Sequence, residues 1–327
     1  MMWASFRLQR VQLLTLLGVV VVGTGVLVLL RSTMVDQITS SGLTECVERG
    51  GRACASAAQN EFLDDWSNLF QLARILILVL PIVIGVFVGA PLFAQELEHG
   101  THVLAFTQSV SRTRWMLSKL VVALVPALVV VAALQYLVWW WLDAAGTLGP
   151  QINGAWHPVN FAIEHVSPVA YTLFAFAVGA FVGVVSRRTL VAMTTAFGVF
   201  VVARLALEGQ LNRFVSPERR VAADGLTVDL RDGALPVGKG WLDAAGLEVP
   251  WDRSVTVSDA CRAATPGASQ GQEEFLACMR ESGLANRYSL VLPESSAWVA
   301  HLYDAAIFGG FAVVLLAGTV WALRRQS

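Results

Sequence analysis

The sequence predicts an all-α polytopic membrane protein with six transmembrane helices and a small mixed extracellular cap. Three observations carry this expectation. Hydrophobic residues make up 55% of the 327 residues and charged residues 14%, against about 25% charged in an ordinary soluble chain. The apolar excess falls into six long blocks. The Lys and Arg of the short connections collect on one side of those blocks. A net charge of −1 gives no reason to expect nucleic acid or an acidic partner, and membrane lipid is the expected surrounding.

A helix rises about 1.5 Å per residue, so about 20 apolar residues cross a hydrocarbon core of about 30 Å. The blocks run over 11–30, 69–93, 120–142, 168–185, 190–207 and 302–323. The first is too long for a signal-peptide core and is followed by no clear small-x-small cleavage site, so it reads as a retained anchor. Ahead of it, residues 1–10 place Trp3, Phe6 and Leu8 beside Arg7 and Arg10, a pattern that suits a short helix lying in the membrane interface. The fourth and fifth blocks meet at Ser186-Arg187-Arg188-Thr189 and form a tight helical hairpin. Small residues recur through it (Gly179, Ala180, Gly183, Thr194, Thr195, Gly198) and let helix backbones approach closely.

Orientation follows from the short loops. Arg7, Arg10, Arg112, Arg114, Lys119, Arg187, Arg188, Arg324 and Arg325 fall on one side, whereas the loop 143–167 on the other side has no Lys or Arg. The other loop on that side, 31–68, has three basic residues against six acidic ones. Positive residues stay inside, so both termini are expected in the cytoplasm of a multi-pass cell-membrane protein. The chain divides into the interfacial helix 1–10, spans one to five over 11–207, an outer region 208–301, and the last span with its tail over 302–327.

All four cysteines fall on the expected outer side: Cys46 and Cys54 in the first loop, Cys261 and Cys278 in the long one. That compartment permits oxidation, so they read as two disulfides. Three connectivities are open, with the two local pairs preferred. Zinc is the rival, but neither pair has C-x-x-C spacing or a nearby set of His partners. In the outer region, alternation over 225–231 and 247–257 suggests short strands, and 273–281 a short helix carrying Cys278. A flexible linker is the alternative.

Several apparent motifs lead nowhere. Gly233 to Lys239 fits the start of a phosphate-binding loop, but Gly240 stands where Ser or Thr should hold magnesium, and Pro236 interrupts it. The chain is therefore expected to carry no ATPase or other enzymatic centre of its own. His99 and His102 form a lone pair without further ligands, and no metal site is expected. No Asp or Glu stands out clearly inside a span, which argues against a proton relay. Arg74 and Arg204 lie within spans, near the expected outer interface. They either snorkel to the surface or face the bundle interior and a possible substrate path.

The most informative stretch crosses the inner end of the second span. It reads Glu96-x-Glu98-x-Gly100-Thr101, then Thr107-Gln-Ser-x-Ser-Arg112-x-Arg114-Trp115, with re-entry at Lys119. This string resembles the first cytoplasmic loop of ABC-2-type permeases, the membrane subunits of ATP-driven exporters, and particularly an actinobacterial branch. Residues 54–70 and 278–298 are similar to that branch as well. The long outer region matches only loosely. The resemblance implies six helices of ABC-2 exporter type and a coupling loop at 94–118. It further implies coupling to a cytoplasmic ATPase through Glu96, Glu98, Gly100, Thr101, Arg112 and Arg114. In such a complex a second permease subunit completes a homo- or heterodimer, and ATP and Mg bind the partner ATPase while this chain holds no cofactor. A non-transporting sensor or scaffold subunit of an ABC-like complex is the alternative.

Overall fold

A computed structural model describes residues 10–49, 57–100, 112–150, 154–208, 215–222, 228, 233–264 and 272–325. The expected interfacial helix lies outside these residues except for Arg10, as do Cys54, Thr101 and nearly all of 225–231. The chain divides into two compact units, residues 1–211 with 301–327, and residues 212–300.

Six helices of the described residues are long and apolar enough to cross a membrane. They are helix Arg10–Ser40, helix Ala57–Ile84 continued through Gly85–Gly89 and Pro91–Glu98, and helix Arg112–Asp143. Then come Ser167–Ser186, Thr189–Glu208 and Ala297–Arg325. We number them spans one to six. Most outrun the apolar blocks that announce them, because a helix continues past the hydrocarbon wherever polar side chains can stay wet. Span one gains ten residues at its far end in this way.

Span four is the most enclosed, with two thirds of its apolar window buried. Its small residues serve span two rather than its hairpin partner. Residues Gly85–Gly89 form a π-helical turn in which the Ala90 N–H reaches back to the Gly85 carbonyl at 2.9 Å. Pro91 follows at the first position of the next helical segment, where its missing N–H costs nothing. A Cβ on Gly179 would sit 2.5 Å from the Gly85 carbonyl oxygen, and one on Gly183 would sit 2.6 Å from that of Ala90. The two backbones therefore touch, and only glycine fits. Gly198, by contrast, has open space around it. The hairpin turn itself is tight: Arg187 takes a left-handed conformation (φ 52°) and closes span four through its N–H on the Gly183 carbonyl at 3.2 Å.

The three largest apolar clusters among the described residues hold the bundle. Phe62, Trp66, Phe70 and Trp141 form an aromatic ladder joining spans two and three, to which Met34 and Ile38 of span one add. Phe93, Met116, Leu120 and Phe176 pack spans two, three and four together. Phe174, Phe200 and Phe308 pack spans four, five and six. Spans one, five and six keep broad apolar faces exposed, among them Val22, Leu29, Val202, Leu205, Val313 and Val314. Apolar faces of that extent suit lipid or another apolar helix.

The second unit is a four-stranded antiparallel sheet in the order β1-β4-β2-β3, with β1 Glu218–Val221, β2 Leu235–Leu242, β3 Glu248–Val249 and β4 Asn286–Leu292. Helices Trp251–Ala264 and Gln272–Glu281 are joined by the disulfide Cys261–Cys278, over a small core of Cys261, Met279 and Leu284. The expectation of a strand over 247–257 is corrected. Only Glu248 and Val249 pair, and helix begins after Pro250, which fixes φ and lacks an N–H for the ladder. The resemblance to a phosphate-binding loop dissolves here, since 235–242 is an extended strand in mid-sheet. A Cβ on Gly240 would meet the Tyr288 ring at 2.7 Å, so the glycine serves cross-strand packing. Cys46 is buried and disulfide-bonded; its expected partner Cys54 is outside the described residues.

Candidate functional site

The expected coupling loop leaves span two through Pro91–Glu98 and turns at Gly100. Gly100 takes φ +70°, a conformation that glycine adopts without steric cost. Glu96 forms an ion pair with Lys119 at the start of the apolar part of span three. The Lys119 side chain is only 5% exposed and that of Glu96 26%. The Lys119 ammonium also lies 4.9 Å from the centre of the Trp115 ring, and Trp115 packs against Phe93 of span two.

Glu98, two residues on and on another side of the helix, accepts hydrogen bonds from the Thr189 N–H at 2.9 Å and the Thr189 hydroxyl at 2.7 Å. A carboxylate there satisfies an otherwise orphaned amide at the N-terminus of span five and complements its dipole. Both carboxylates thus have partners within the bundle. Arg114 is exposed, and the Arg112 side chain lies outside the described residues.

At the opposite end of the bundle, the loop 144–166 folds back as a short helix Pro158–Ile163. Arg74 of span two is 5% exposed and does not snorkel. It donates to the Asn160 Oδ1 at 2.8 Å and lies 3.4 Å from Gln71 Oε1 and from His157 Nδ1. Asn160 in turn donates to the Gly154 carbonyl at 2.9 Å. Arg74 is the strut that pins this loop. Burial, and then the Arg74 charge, push the His157 pKa below the ordinary imidazole value, so His157 is neutral near pH 7.

A cavity of about 510 Å³ opens beside the loop, lined by apolar residues of spans two and three with Gln135, Tyr136, Trp139, Asn160, Glu164 and His165. Arg74 is hydrogen-bonded to one of its lining residues, Asn160. Arg204 is not among its described lining residues.

Arg204 takes part in a different arrangement. Its guanidinium donates to the Tyr171 hydroxyl oxygen at 2.7 Å and lies 4.3 Å from the centre of that ring. The Tyr171 hydroxyl donates to Asp304 of span six. Tyr171 is 2% and Asp304 1% exposed. This corrects the expectation that no carboxylate stands inside a span: Asp304 lies in the sixth block, two residues after its start, and is enclosed by protein. Beside it, Ser167 Oγ and His301 Nδ1 are 2.8 Å apart, and the His301 ring stacks on Phe161 at 4.0 Å. Sequence reading missed Ser167, Tyr171, His301 and Asp304 as a set. Its available signal was polar residues spaced at Ser167 and Tyr171, and at His301 and Asp304, each pair placing both side chains on one helix face.

No curated protein and no solved structure matches the chain. A family model described as "ABC-2 membrane transporter related" matches residues 17–212, which takes in most of span one, spans two to five and the segment 94–118. With six apolar helices and this match over more than half its length, the chain belongs to the ABC-2 membrane transporter related family.

Proposed function

We propose that the chain is the permease subunit of an ABC exporter, forming the translocation path and driven by a separate cytoplasmic ATPase. A second permease subunit, identical or not, completes the pathway; ATP and Mg reside on the ATPase partner, and this chain does no chemistry. The observation that carries the reading is the turn by which Pro91–Glu98 and Gly100 leave span two, whose two carboxylates reach separate spans: Glu96 to Lys119 of span three, and Glu98 to the first residue of span five. A push on this turn moves both spans together. Span five is tied again about 22 Å further along, where Arg204 meets Tyr171 of span four and, through it, Asp304 of span six. A helix held by polar contacts at both ends moves as a rigid element, which alternating access requires.

On this reading Gly100, Thr101, Arg112 and Arg114 face the ATPase, and both termini are cytoplasmic. The test co-expresses the chain with a candidate ABC ATPase. The double variant Arg112→Glu/Arg114→Glu should insert normally, yet lose ATPase co-purification or transport-stimulated ATP hydrolysis. Undiminished complex formation together with undiminished flux into vesicles sinks the coupling assignment. Cys placed at Ser186, in a background without native Cys, should resist an impermeant thiol reagent in intact cells; labelling there overturns the orientation. ATP hydrolysis with no substrate flux would instead identify a sensor subunit.

A further inference from the structure

We propose that Glu164, His165 and His301 form a binding site for a zinc-type divalent ion, with an open coordination position facing the cavity. Each of the three side chains offers a ligand atom, and these atoms all lie within 4.8 Å of one another. Zinc holds His nitrogens at about 2.0–2.1 Å and carboxylate oxygens at about 2.0–2.2 Å, which puts tetrahedral neighbours roughly 3.3 Å apart. The His165 ring stacks on the His301 ring, with centroids 4.4 Å apart, so closing the set requires the His165 ring to rotate until its lone pair points at the position that His301 Nε2 faces.

The second observation is His301 itself. It is 1% exposed, and its Nε2 has no hydrogen-bond partner. A buried unsatisfied ring nitrogen in a native fold needs an explanation, and an unrecorded ion is one of the few available. The other ring nitrogen, Nδ1, sits 2.8 Å from Ser167 Oγ. With the Nδ1 proton donated to that hydroxyl, the lone pair stands on Nε2. Metal-bound histidines characteristically hold their second nitrogen in this way, which fixes tautomer and ring orientation. Stacking on Phe161, at an interplanar angle of 6°, holds the ring plane as well.

The donor set selects the metal. Two imidazoles and one carboxylate suit zinc, and also copper or nickel, whereas magnesium and calcium prefer all-oxygen sites. Three protein ligands leave a fourth position, and Glu164 and His165 line the cavity of about 510 Å³. The Arg74 charge acts on the Glu164 carboxylate and weakens its hold on a cation. Bound metal staples the residues ahead of span four to the start of span six.

The test uses the full chain in detergent without a His tag, in a His99→Gln/His102→Gln background that removes the remaining neighbouring pair. Zinc chloride is titrated against a chromophoric chelator, with magnesium as control. One zinc per chain is expected, with a rise in thermal midpoint that magnesium does not give. His165→Gln, at an exposed position, should weaken zinc binding at least tenfold and abolish the thermal shift. Glu164→Gln should behave alike, and Ser167→Ala should weaken binding by about 10–100-fold, the usual effect of losing an orienting partner. Zinc bound equally by wild type and by His165→Gln overturns the site, as does a wild type that retains no zinc beyond its magnesium control.

Discussion

Neutralising Glu96 should cost the fold more than a surface carboxylate would, and the cost should vanish when Lys119 is neutralised with it. Glu96→Gln keeps the shape of the side chain but leaves the Lys119 ammonium without a counter-charge. That ammonium is 5% exposed and sits over the Trp115 ring, so water cannot replace the lost carboxylate. Breaking one partner of a buried pair costs about 3–5 kcal/mol. Glu96 is 26% exposed, so solvent screening brings the expectation down to about 2–4 kcal/mol. Lys119→Met strands only the wetter partner, and about 1–2 kcal/mol is expected.

In Glu96→Gln/Lys119→Met no charge remains, and Met fills much of the volume left by the Lys stem. Such replacements are often neutral, which predicts a coupling energy of about 2 kcal/mol or more between the positions. Unfolding of the four proteins, followed by Trp fluorescence in one detergent, measures the cycle. Effects that add within about 0.5 kcal/mol would refute the reasoning and leave Glu96 as a solvated loop charge. If the pair also transmits motion, the double variant should recover stability yet not recover transport-stimulated ATP hydrolysis.

Gly179→Val should fail to yield monodisperse protein, since its Cβ would lie 2.5 Å from the Gly85 carbonyl oxygen and overpacking costs about 1–3 kcal/mol or more; Gly198→Ala, with nothing nearby, should be neutral or stabilising by up to about 1 kcal/mol, and equal behaviour of the two would discredit the helix contact. Arg204→Lys should lose more than Lys usually loses at an exposed site, because an ammonium cannot both stack on Tyr171 and keep the fork geometry; transport and thermal midpoint equal to wild type would return Arg204 to the role of a snorkelling charge. Cys261→Ser opens a disulfide spanning 17 residues, worth about 3 kcal/mol in the chain-entropy model. Limited proteolysis should then cut the sheet unit while the six spans stay inserted, and a protease pattern identical to wild type would count against the staple.

The apolar blocks were legible because lipid imposes a length and a composition that few other environments demand, and all six blocks correspond to helices. The charged side chains inside them were not. Arg74 has the same sequence surroundings whether it snorkels or bonds Asn160, and the deciding residue lies 86 positions away. Glu96 and Glu98 stood out as a motif, yet their partners, Lys119 and Thr189, lie 23 and 91 positions further on. The segment 247–257 failed for a local reason: Leu247, Val249, Trp251, Val255 and Val257 alternate well enough for a strand. Pro250 decided the matter by ending the ladder and supplying the turn into a helix.

A more general step follows from Ser167, Tyr171, Arg204, His301 and Asp304. Each alone, near the end of an apolar block, has a bland explanation, and weighing them one at a time gives the bland answer every time. Taken together, they are a base, a carboxylate, a phenol, a hydroxyl and an imidazole on three spans. A polar group facing lipid costs several kcal/mol unless it is paired, so five such groups at one depth are cheaper facing one another than facing outward. The helical spacings of Ser167 to Tyr171 and of His301 to Asp304 already place each pair on one face. The lowest-energy packing of spans four, five and six is then the one that turns those faces together, which is the arrangement the fold adopts. Polar residues near block ends therefore constrain helix rotation in this chain more tightly than its Leu and Val do, because apolar side chains pack about as well on lipid as on protein.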